Sequence, residues 1–279
     1  DLTLALSAQA GIEVMVANPR AVRHFATALM QRSKNDQLDA GVLEQFAARM
    51  PFRAWQRPSP AALAVHALAR RRGQLVDMQT AEKNRQHAAE LSQAIPAAIR
   101  RDLARSLRAQ ARAIERLTRE ARKVIAPEPD LAERFALLDS VPGIAETSAI
   151  QILAELAMLA PDLEARQWVA YAGLDPREYS SGTSVHKKTR ISKAGNKHLR
   201  RALYMPALVA VQHDPHLRAF YQHLLERGKF KMQALVAVMR KLLHAFHGMF
   251  KTHQPYDGSK LFQLQPASAP EVTRALVAS

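Results

Sequence analysis

Cysteine is absent from the 279 residues of this chain, and aromatic residues make up only 6% of it. Without cysteine the protein has no disulfide framework, no thiolate metal site and no thiol nucleophile, so any metal must be held by oxygen or imidazole groups. No apolar run reaches the roughly 18–20 residues that span a bilayer, and no signal-peptide pattern opens the chain. We therefore expect a soluble, cytoplasmic protein without a membrane partner.

Acidic residues are scarce relative to basic ones. The chain has 40 Lys and Arg residues against 25 Asp and Glu residues, which gives a formal net charge of +15. An excess of this size favours nucleic acid as the partner. The hydrophobic fraction of 48% is large enough for a sizeable core.

The hydrophobic spacing predicts an α+β fold that is predominantly helical. A β-branched run at residues 11–17 predicts a strand, and Asn18-Pro19 predicts a turn before the first helix. A second helix is predicted over residues 36–50. Two long helices are predicted over residues 61–125 with a break at Pro96, and apolar residues seven apart in the second one indicate a coiled coil or an antiparallel hairpin.

The C-terminal part of the chain also has the pattern of helices separated by turns. Residues 137–156 predict a helix, a tight V-P-G-I turn and a second helix, an arrangement that resembles the helix-hairpin-helix motif. In that motif the glycine, here Gly143, permits the turn, and backbone N–H groups at the start of the second helix face a DNA phosphate. Asn196 predicts the N-cap of a helix that continues to His213, and a last amphipathic helix is predicted over residues 232–250.

The segment from Tyr179 to Arg201, YSSGTSVHKKTRISKAGNKHLRR, is strongly basic. No Asp or Glu occurs from Tyr179 to His213, so these cations repel each other unless an anion neutralises them. A nucleic-acid backbone is the commonest such anion, and a solvated basic loop is the alternative. The cations that we predict to bind nucleic acid are Lys187, Lys188, Arg190, Lys193, Lys197, Arg200 and Arg201.

Two carboxylates stand at the predicted start of the second helix. Asp36 and Asp39 are three residues apart, so they share one face of that helix. Magnesium prefers hard oxygen ligands, and two aspartates together with DNA phosphate oxygens are a normal partial ligand set. Stabilisation of the helix dipole is the alternative role for this pair.

These features occur in an order that resembles one family. The segments NPRAVRHFATAL and SKNDQLDA, the long helical insert, the VPGI turn and the segments WVAYAGLDPREYSSGT and RISKAGNKHLRRAL carry the resemblance, from Gly11 to about Phe250. They are similar to insertion-sequence transposases that have an N-terminal RuvC-like DEDD domain and a C-terminal serine-bearing domain. This group includes the bridge-RNA-guided recombinases and the pilin-gene invertases.

The resemblance implies a division into four segments. Residues 1–57 would be the C-terminal part of a RuvC-like (RNase H-like) α/β domain, and residues 58–127 would form a long helical hairpin or coiled coil. Residues 130–254 would form an α-helical serine-bearing domain, and residues 255–279 would be a weakly structured tail. The first two acids of the DEDD set normally lie upstream of the strand that ends before Asn18. Because the chain opens at Asp1 and not at methionine, we expect a fragment whose remaining metal-binding acids precede residue 1.

The resemblance also implies the chemistry. Ser181 matches the nucleophilic serine, with Ser180 as the alternative, while Asp36 and Asp39 match the last two DEDD acids, which bind Mg²⁺. The serine hydroxyl would attack a DNA phosphodiester to give a covalent phosphoserine intermediate. Tyr179 is a rival nucleophile, and His186 is a possible base.

We therefore expect a transposase of a bacterial insertion sequence, associated with the nucleoid, that cuts and rejoins double-stranded DNA as a homodimer or homotetramer and is guided by an RNA. One alternative is a metal-dependent RuvC-like nuclease, whose activity would survive Ser181→Ala because water is its nucleophile. The other is a non-catalytic nucleic-acid-binding protein.

Overall fold

The chain divides by its internal contacts into two units, Asp1–Ser59 and Pro60–Ser279. A computed structural model describes residues 2–9, 11–30, 35–92, 94–181 and 185–264, and of residues 178–181 and 185–188 it describes the backbone alone.

The first unit contains the helices α1 (Leu2–Leu6), α2 (Pro19–Ala28) and α3 (Asp36–Arg49). The two predicted helices, α2 and α3, are confirmed. Asn18 begins α2 because its side-chain oxygen accepts a hydrogen bond from the Arg20 N–H at 2.9 Å. Phe25 of α2 and Phe46 of α3 pack edge to face, with their ring centroids 5.4 Å apart, and this contact joins the two helices.

The strand predicted over residues 11–17 is wrong, because these residues have no regular secondary structure. A strand needs a neighbouring strand to pair with its N–H and C=O groups. The described part of the first unit contains no such partner. Two isolated backbone hydrogen bonds hold the segment instead, from the Trp55 N–H to the Val14 C=O at 2.6 Å and from the Ile12 N–H to the Gln9 C=O at 3.4 Å.

The second unit begins with two long helices, α4 (Pro60–Leu91) and α5 (Ala97–Ile125), which pack as an antiparallel hairpin. The predicted break at Pro96 is confirmed, since proline lacks the N–H that a continuous helix requires. The Arg72 Nε of α4 donates to the Thr118 hydroxyl of α5 at 3.1 Å. Among the described helices, none combines the length and the apolarity needed to cross a membrane. The two sets of residues seven apart that predicted the pairing of α5, which include the polar Gln110, are all partly or fully buried: Leu103, Leu107, Gln110, Ile114, Leu117, Ala121 and Val124.

The rest of the second unit is helical except for one β-ribbon. The predicted helix, turn and helix over 137–156, the Asn196-capped helix and the last helix are confirmed. The ribbon was not predicted. The elements are α6 (Pro129–Asp139), α7 (Glu146–Leu156), α8 (Ala165–Tyr171), β1 (Pro176–Ser181), β2 (Val185–Ile191), α9 (Lys197–His213), α10 (Pro215–Glu226) and α11 (Lys231–Thr252), followed by a 3₁₀ helix (Gly258–Lys260).

The core of the second unit surrounds α7, which contacts α4, α5, α6 and α9. Val65 of α4 lies in the same hydrophobic cluster as Leu153 of α7, Leu203 of α9 and Phe246 of α11, and all four side chains are fully buried. Burial of a side chain of this size contributes about 1.5–3 kcal/mol to folding. The helical hairpin and the C-terminal helices therefore share one core, whereas the sequence led us to expect two separate segments, 58–127 and 130–254.

Residues 255–264 also differ from the weakly structured tail that was expected. Gly258 is buried, and a Cβ at this position would lie 2.8 Å from a carboxylate oxygen of Asp214. The Lys241 ammonium donates to the Leu261 C=O at 2.6 Å. These contacts attach the segment to α10 and α11. The remainder of the predicted tail, residues 265–279, lies outside the described residues.

Candidate functional site

The basic segment folds as the antiparallel ribbon of β1 and β2. In its register, Ser181 lies opposite Val185 and Ser180 lies opposite His186. Both candidate serines therefore belong to the end of β1 that precedes residues 182–184, which lie outside the described residues. The side chains of Tyr179, Ser180, Ser181, His186, Lys187 and Lys188 also lie outside the described residues, so their predicted roles stay predictions.

The other end of the ribbon is tied to the residues that follow α8. The Ser192 hydroxyl donates to the Asp175 carboxylate at 2.5 Å, and the Ser192 N–H donates to the Asp175 C=O at 2.9 Å. The exposed Lys193 adopts a positive φ of 52°, and its N–H donates to the Gly173 C=O at 3.1 Å. Local hydrogen bonds thus fix the direction in which the ribbon leaves the helical core.

Gly195 brings the chain into close contact with the end of α8. A Cβ at this position would lie 2.3 Å from the Tyr171 C=O and 2.8 Å from the Gly173 N, so no larger residue fits without a backbone shift. The next residue, Asn196, donates its N–H to the same Tyr171 C=O at 2.6 Å. Glycine at position 195 is therefore needed to seat the start of α9 against α8.

Two arginines lie opposite each other across the ribbon. Arg177 of β1 pairs in register with Arg190 of β2, and both are exposed. Like charges directly opposite each other in a ribbon are destabilising. Within the described part of the chain, neither arginine has an ion-pair partner, so an anion that binds here would relieve the repulsion. Arg190 was predicted from the sequence, but Arg177 was missed because it precedes the basic segment and becomes its neighbour only through strand pairing.

The predicted cations of α9 have different environments. Lys197 is exposed at the first position of the helix. Arg200 is half-buried and donates its Nη1 to the Ala172 C=O at 2.7 Å, so part of its hydrogen-bonding capacity holds the protein together. Arg201 forms an ion pair with Asp77 of α4. The acid-free environment expected from the sequence therefore does not apply to Arg201, because Asp77 comes from a distant part of the chain.

A buried carboxylate supports the start of α9. Glu155 of α7 is fully buried, and its oxygens lie 2.7 Å and 2.9 Å from Nε and Nη2 of Arg70. The Asn196 Nδ2 donates to Glu155 at 2.6 Å and to the Tyr171 hydroxyl at 2.9 Å, while Asn196 Oδ1 accepts two backbone N–H groups of α9 at 2.9 and 3.1 Å. We call Glu155, Arg70, His66, Asn196 and Tyr171 the Glu155 cluster. Its asparagine joins a buried ion pair to the N-terminus of α9.

Hydrogen bonds favour the ionised form of Glu155. Burial alone would raise the pKa of Glu155, but hydrogen bonds from His66, Asn196 and Arg70 outweigh burial and hold this pKa below its ordinary value. Burial raises the pKa of Tyr171, so its hydroxyl keeps its proton. Sequence reasoning missed the cluster because its members span residues 66–196. The one available signal was a lone acid, Glu155, within the apolar face of α7.

Asp36 and Asp39 both lie in the first turn of α3 and are exposed. Asn35 caps this helix by accepting the Leu38 N–H at 2.8 Å. The pair has the hard oxygen chemistry that Mg²⁺ takes. The described residues contain no group of three or more His, Asp or Glu side chains placed to hold a metal ion. These two carboxylates alone are an incomplete ligand set, and their role in binding Mg²⁺ stays a prediction.

Gly143 lies in the turn between α6 and α7 with a positive φ of 92°. A Cβ here would lie 3.0 Å from the backbone N of Ala210 and from the side chain of Val209, so the turn packs closely on α9. At the start of α7, Glu146 forms an ion pair with Arg122 at 3.2 Å. Close packing is thus one reason for glycine at position 143, and its contact with a DNA phosphate stays a prediction.

Comparisons with known proteins match two parts of the chain to transposase family models. A family model described as "Transposase IS116/IS110/IS902 family" matches residues 135–222, which include the ribbon and α9. A second model, described as "Transposase" and specific to the DEDD domain of IS110-type elements, matches residues 1–96.

Individual relatives are similar over different shares of the chain. The pilin gene-inverting protein of Moraxella bovis is 29% identical over 246 residues, which are 88% of this chain and 74% of that protein. Its counterpart in Moraxella lacunata has the same identity and coverage. An uncharacterized 43.6 kDa protein of the insertion element IS110 from Streptomyces coelicolor is 31% identical over 121 residues, which are 43% of this chain and 30% of that protein.

Proposed function

We propose that this chain is a transposase of the IS110/IS116/IS902 type, a group of DNA-recombining enzymes, and that it cuts and rejoins DNA through a covalent phosphoserine intermediate. The oxygen of Ser181 attacks a DNA phosphorus, and the bond from that phosphorus to the departing sugar oxygen breaks. The serine proton passes to a base, and the sugar oxygen takes up a proton. The reverse steps, with a second strand's hydroxyl as the attacking group, rejoin the DNA and release the serine.

The anchored basic ribbon is the observation that carries this proposal. It lies within the matched residues 135–222, and its one end is held by Asp175 and by the close fit of Gly195. Arg177 and Arg190 are exposed opposite each other, and Lys197 is exposed at the adjacent helix start. A nucleic-acid phosphate bound here would neutralise these charges and would hold the strand on the ribbon whose other end carries Ser181.

The remaining parts of the proposal follow the resemblance. The substrate is double-stranded DNA at the ends of an insertion element and at its target, and a guide RNA selects the target. The first unit is the RuvC-like part, and Asp36 and Asp39 contribute two ligands to a Mg²⁺ site. Such an ion, if bound there, would supply positive charge to a DNA phosphate. Exchange of strands between two duplexes requires at least two active centres, so the acting form is a homodimer or homotetramer.

Formation of a protein–DNA adduct tests the proposal. The protein is incubated with end-labelled DNA that carries the element junction, with the RNA encoded beside the element and with Mg²⁺, and the products are separated in SDS. We expect a labelled adduct that resists SDS and disappears after protease treatment. Ser181→Ala should abolish the adduct, whereas Ser180→Ala, its matched control in the same strand, should retain it.

The opposite pattern would identify another mechanism. An adduct that persists in Ser181→Ala and disappears in Ser180→Ala would show that Ser180, and not Ser181, is the nucleophile. Cleavage without an adduct in every variant would contradict a covalent mechanism and favour hydrolysis by a metal-activated water.

A further inference from the structure

A cavity of about 520 Å³ lies between α10, α11 and residues 254–261 of the C-terminal segment. It contains no residue of the ribbon or of the first turns of α9, so it is separate from the candidate site described above. Cavities of roughly 300–1,000 Å³ are the usual size for binding a small organic group. Much of its wall is apolar and includes the aromatic residues Phe220 and Tyr256 together with Met249.

Cations line the other side of the cavity. Arg240, Lys241 and His244 come from neighbouring positions of α11, and Lys260 comes from the 3₁₀ helix. The cavity lining contains one acid, Asp257, which lies 3.9 Å from Lys260 and accepts hydrogen bonds from Ser259. Asp257 is therefore associated with Lys260, and the cavity lining contains no second acid that could neutralise the cations of α11. The cavity consequently has a positive potential that suits an anion.

Arg240 has hydrogen-bonding capacity that the protein does not use. Its Nε atom is buried, and it has no hydrogen-bond partner in the part of the chain that the structure describes. Lys241 differs, because its ammonium group donates to the Leu261 C=O at 2.6 Å and lies 5.1 Å from the centroid of the Phe220 ring. A buried donor without a partner is unfavourable, and an acceptor on a ligand would satisfy it. The exposed His244, one helical turn from Arg240, places a second donor at the rim.

We propose that this cavity binds a single unpaired nucleotide of a nucleic-acid strand, with the base against Phe220, Met249 and Tyr256 and the phosphate on Arg240 and His244. Aromatic and apolar walls accept a base of any sequence by stacking, while guanidinium and imidazole groups hold its phosphate. The inference rests on the proposed function, because strand exchange exposes nucleotides that have left their duplex. The nucleotide can come from DNA or from RNA, since both have the same base and phosphate chemistry.

Binding of small probes tests the cavity directly. The full chain is titrated with dAMP, AMP, adenosine and inorganic phosphate, and each is followed by ligand-observed NMR. We expect both nucleotides to bind more tightly than either adenosine or phosphate, and the comparison of dAMP with AMP shows whether DNA or RNA is preferred. Arg240→Gln should weaken nucleotide binding by at least about tenfold, since it removes a charged phosphate contact.

A matched control lies on the same helix. Lys251→Gln makes the same charge change at an exposed position in the last turn of α11 that does not line the cavity, and it should alter binding less than about twofold. His244→Gln provides a second test at the rim of the cavity, in case the Arg240 variant folds poorly. Equal loss in Lys251→Gln and Arg240→Gln, or unchanged binding in both cavity variants, would overturn the proposal. Phosphate that binds as tightly as dAMP would overturn the nucleotide assignment.

This test separates the cavity from the catalytic proposal. If the protein binds nucleotide in a way that depends on Arg240 but forms no Ser181 adduct, the cavity site is supported and the covalent mechanism is contradicted. A Ser181-dependent adduct in a protein that binds no nucleotide at the cavity would contradict only the present inference.

Discussion

Replacing Glu155 by glutamine tests how the Glu155 cluster supports the start of α9. The change keeps the size of the side chain but removes the negative charge that lies 2.7 Å from the Arg70 guanidinium. In the unmodified protein Asn196 Nδ2 lies 2.6 Å from a carboxylate oxygen of Glu155. In the variant the same Nδ2 would face either an amide oxygen, which is a weaker acceptor, or a second NH₂ group. Loss of one partner from a buried ion pair destabilises a protein by about 3–5 kcal/mol. Because the Arg70 side chain is 31% exposed and water can solvate it in part, we expect about 2–3 kcal/mol.

The same cluster predicts how stability depends on pH. The pKa of Glu155 is lower in the folded protein than in the unfolded chain, so the folded state binds this proton more weakly. The stabilisation is therefore complete above the unfolded pKa of roughly 4.3 and is lost as the pH falls through the lower, folded pKa. The Glu155→Gln variant lacks this contribution, so its stability should fall less steeply than that of the unmodified protein over the same acid range.

Thermal unfolding followed by circular dichroism at several pH values measures both effects. At neutral pH, a loss of about 2–3 kcal/mol corresponds to a Tm lower by roughly 4–12 °C for a unit of this size. Glu146→Gln is the matched control, because its ion pair with Arg122 joins side chains that are 42% and 58% exposed, and it should change stability by less than about 1 kcal/mol. A Glu155→Gln variant that is as stable as Glu146→Gln would refute the reasoning.

Two further changes probe the same region. Gly195→Ala places a Cβ 2.3 Å from the Tyr171 C=O and should lower the free energy of unfolding in urea by more than about 1 kcal/mol. In the control Gly41→Ala the Cβ meets no atom within 4 Å, so the free energy of unfolding should rise by about 0.4–1 kcal/mol. Equal effects of the two changes would contradict the packing described here. Asn196→Asp keeps the helix cap but places a second carboxylate beside Glu155. Because two carboxylates repel each other most when both are ionised, we expect a larger loss of stability at pH 7 than at pH 4.5. A loss that does not depend on pH would argue against close contact of the two groups.

Helix boundaries could be predicted wherever the signal was local. Pro96 interrupts the helical pattern before α5 because proline cannot donate a backbone hydrogen bond, and Asn196 begins α9 because its side chain reaches the next N–H groups. Each of these effects acts within a few residues of the chain. The sequence alone therefore located α3, α5, α9 and α11 to within a few residues.

Features that depend on distant partners could not be predicted. The run at residues 11–17 has strand composition but pairs with no strand in the described residues, whereas residues 176–181 pair with residues 185–191 although no strand was predicted there. Val185 and Ile191 in β2 were the available signs of a strand. The pairing of Arg177 with Arg190 and the contact of Glu155 with Arg70 exist only after folding, so neither could be read from residue spacing.

The central claim is a covalent bond between DNA and one side chain of β1. The most direct measurement is mass spectrometry of the adduct after the protein is digested with protease and the DNA is trimmed by nuclease. We predict a peptide that carries a nucleotide phosphate on Ser181, at the end of β1. A nucleotide attached to Tyr179, or active cleavage with every peptide of β1 unmodified, would contradict the account.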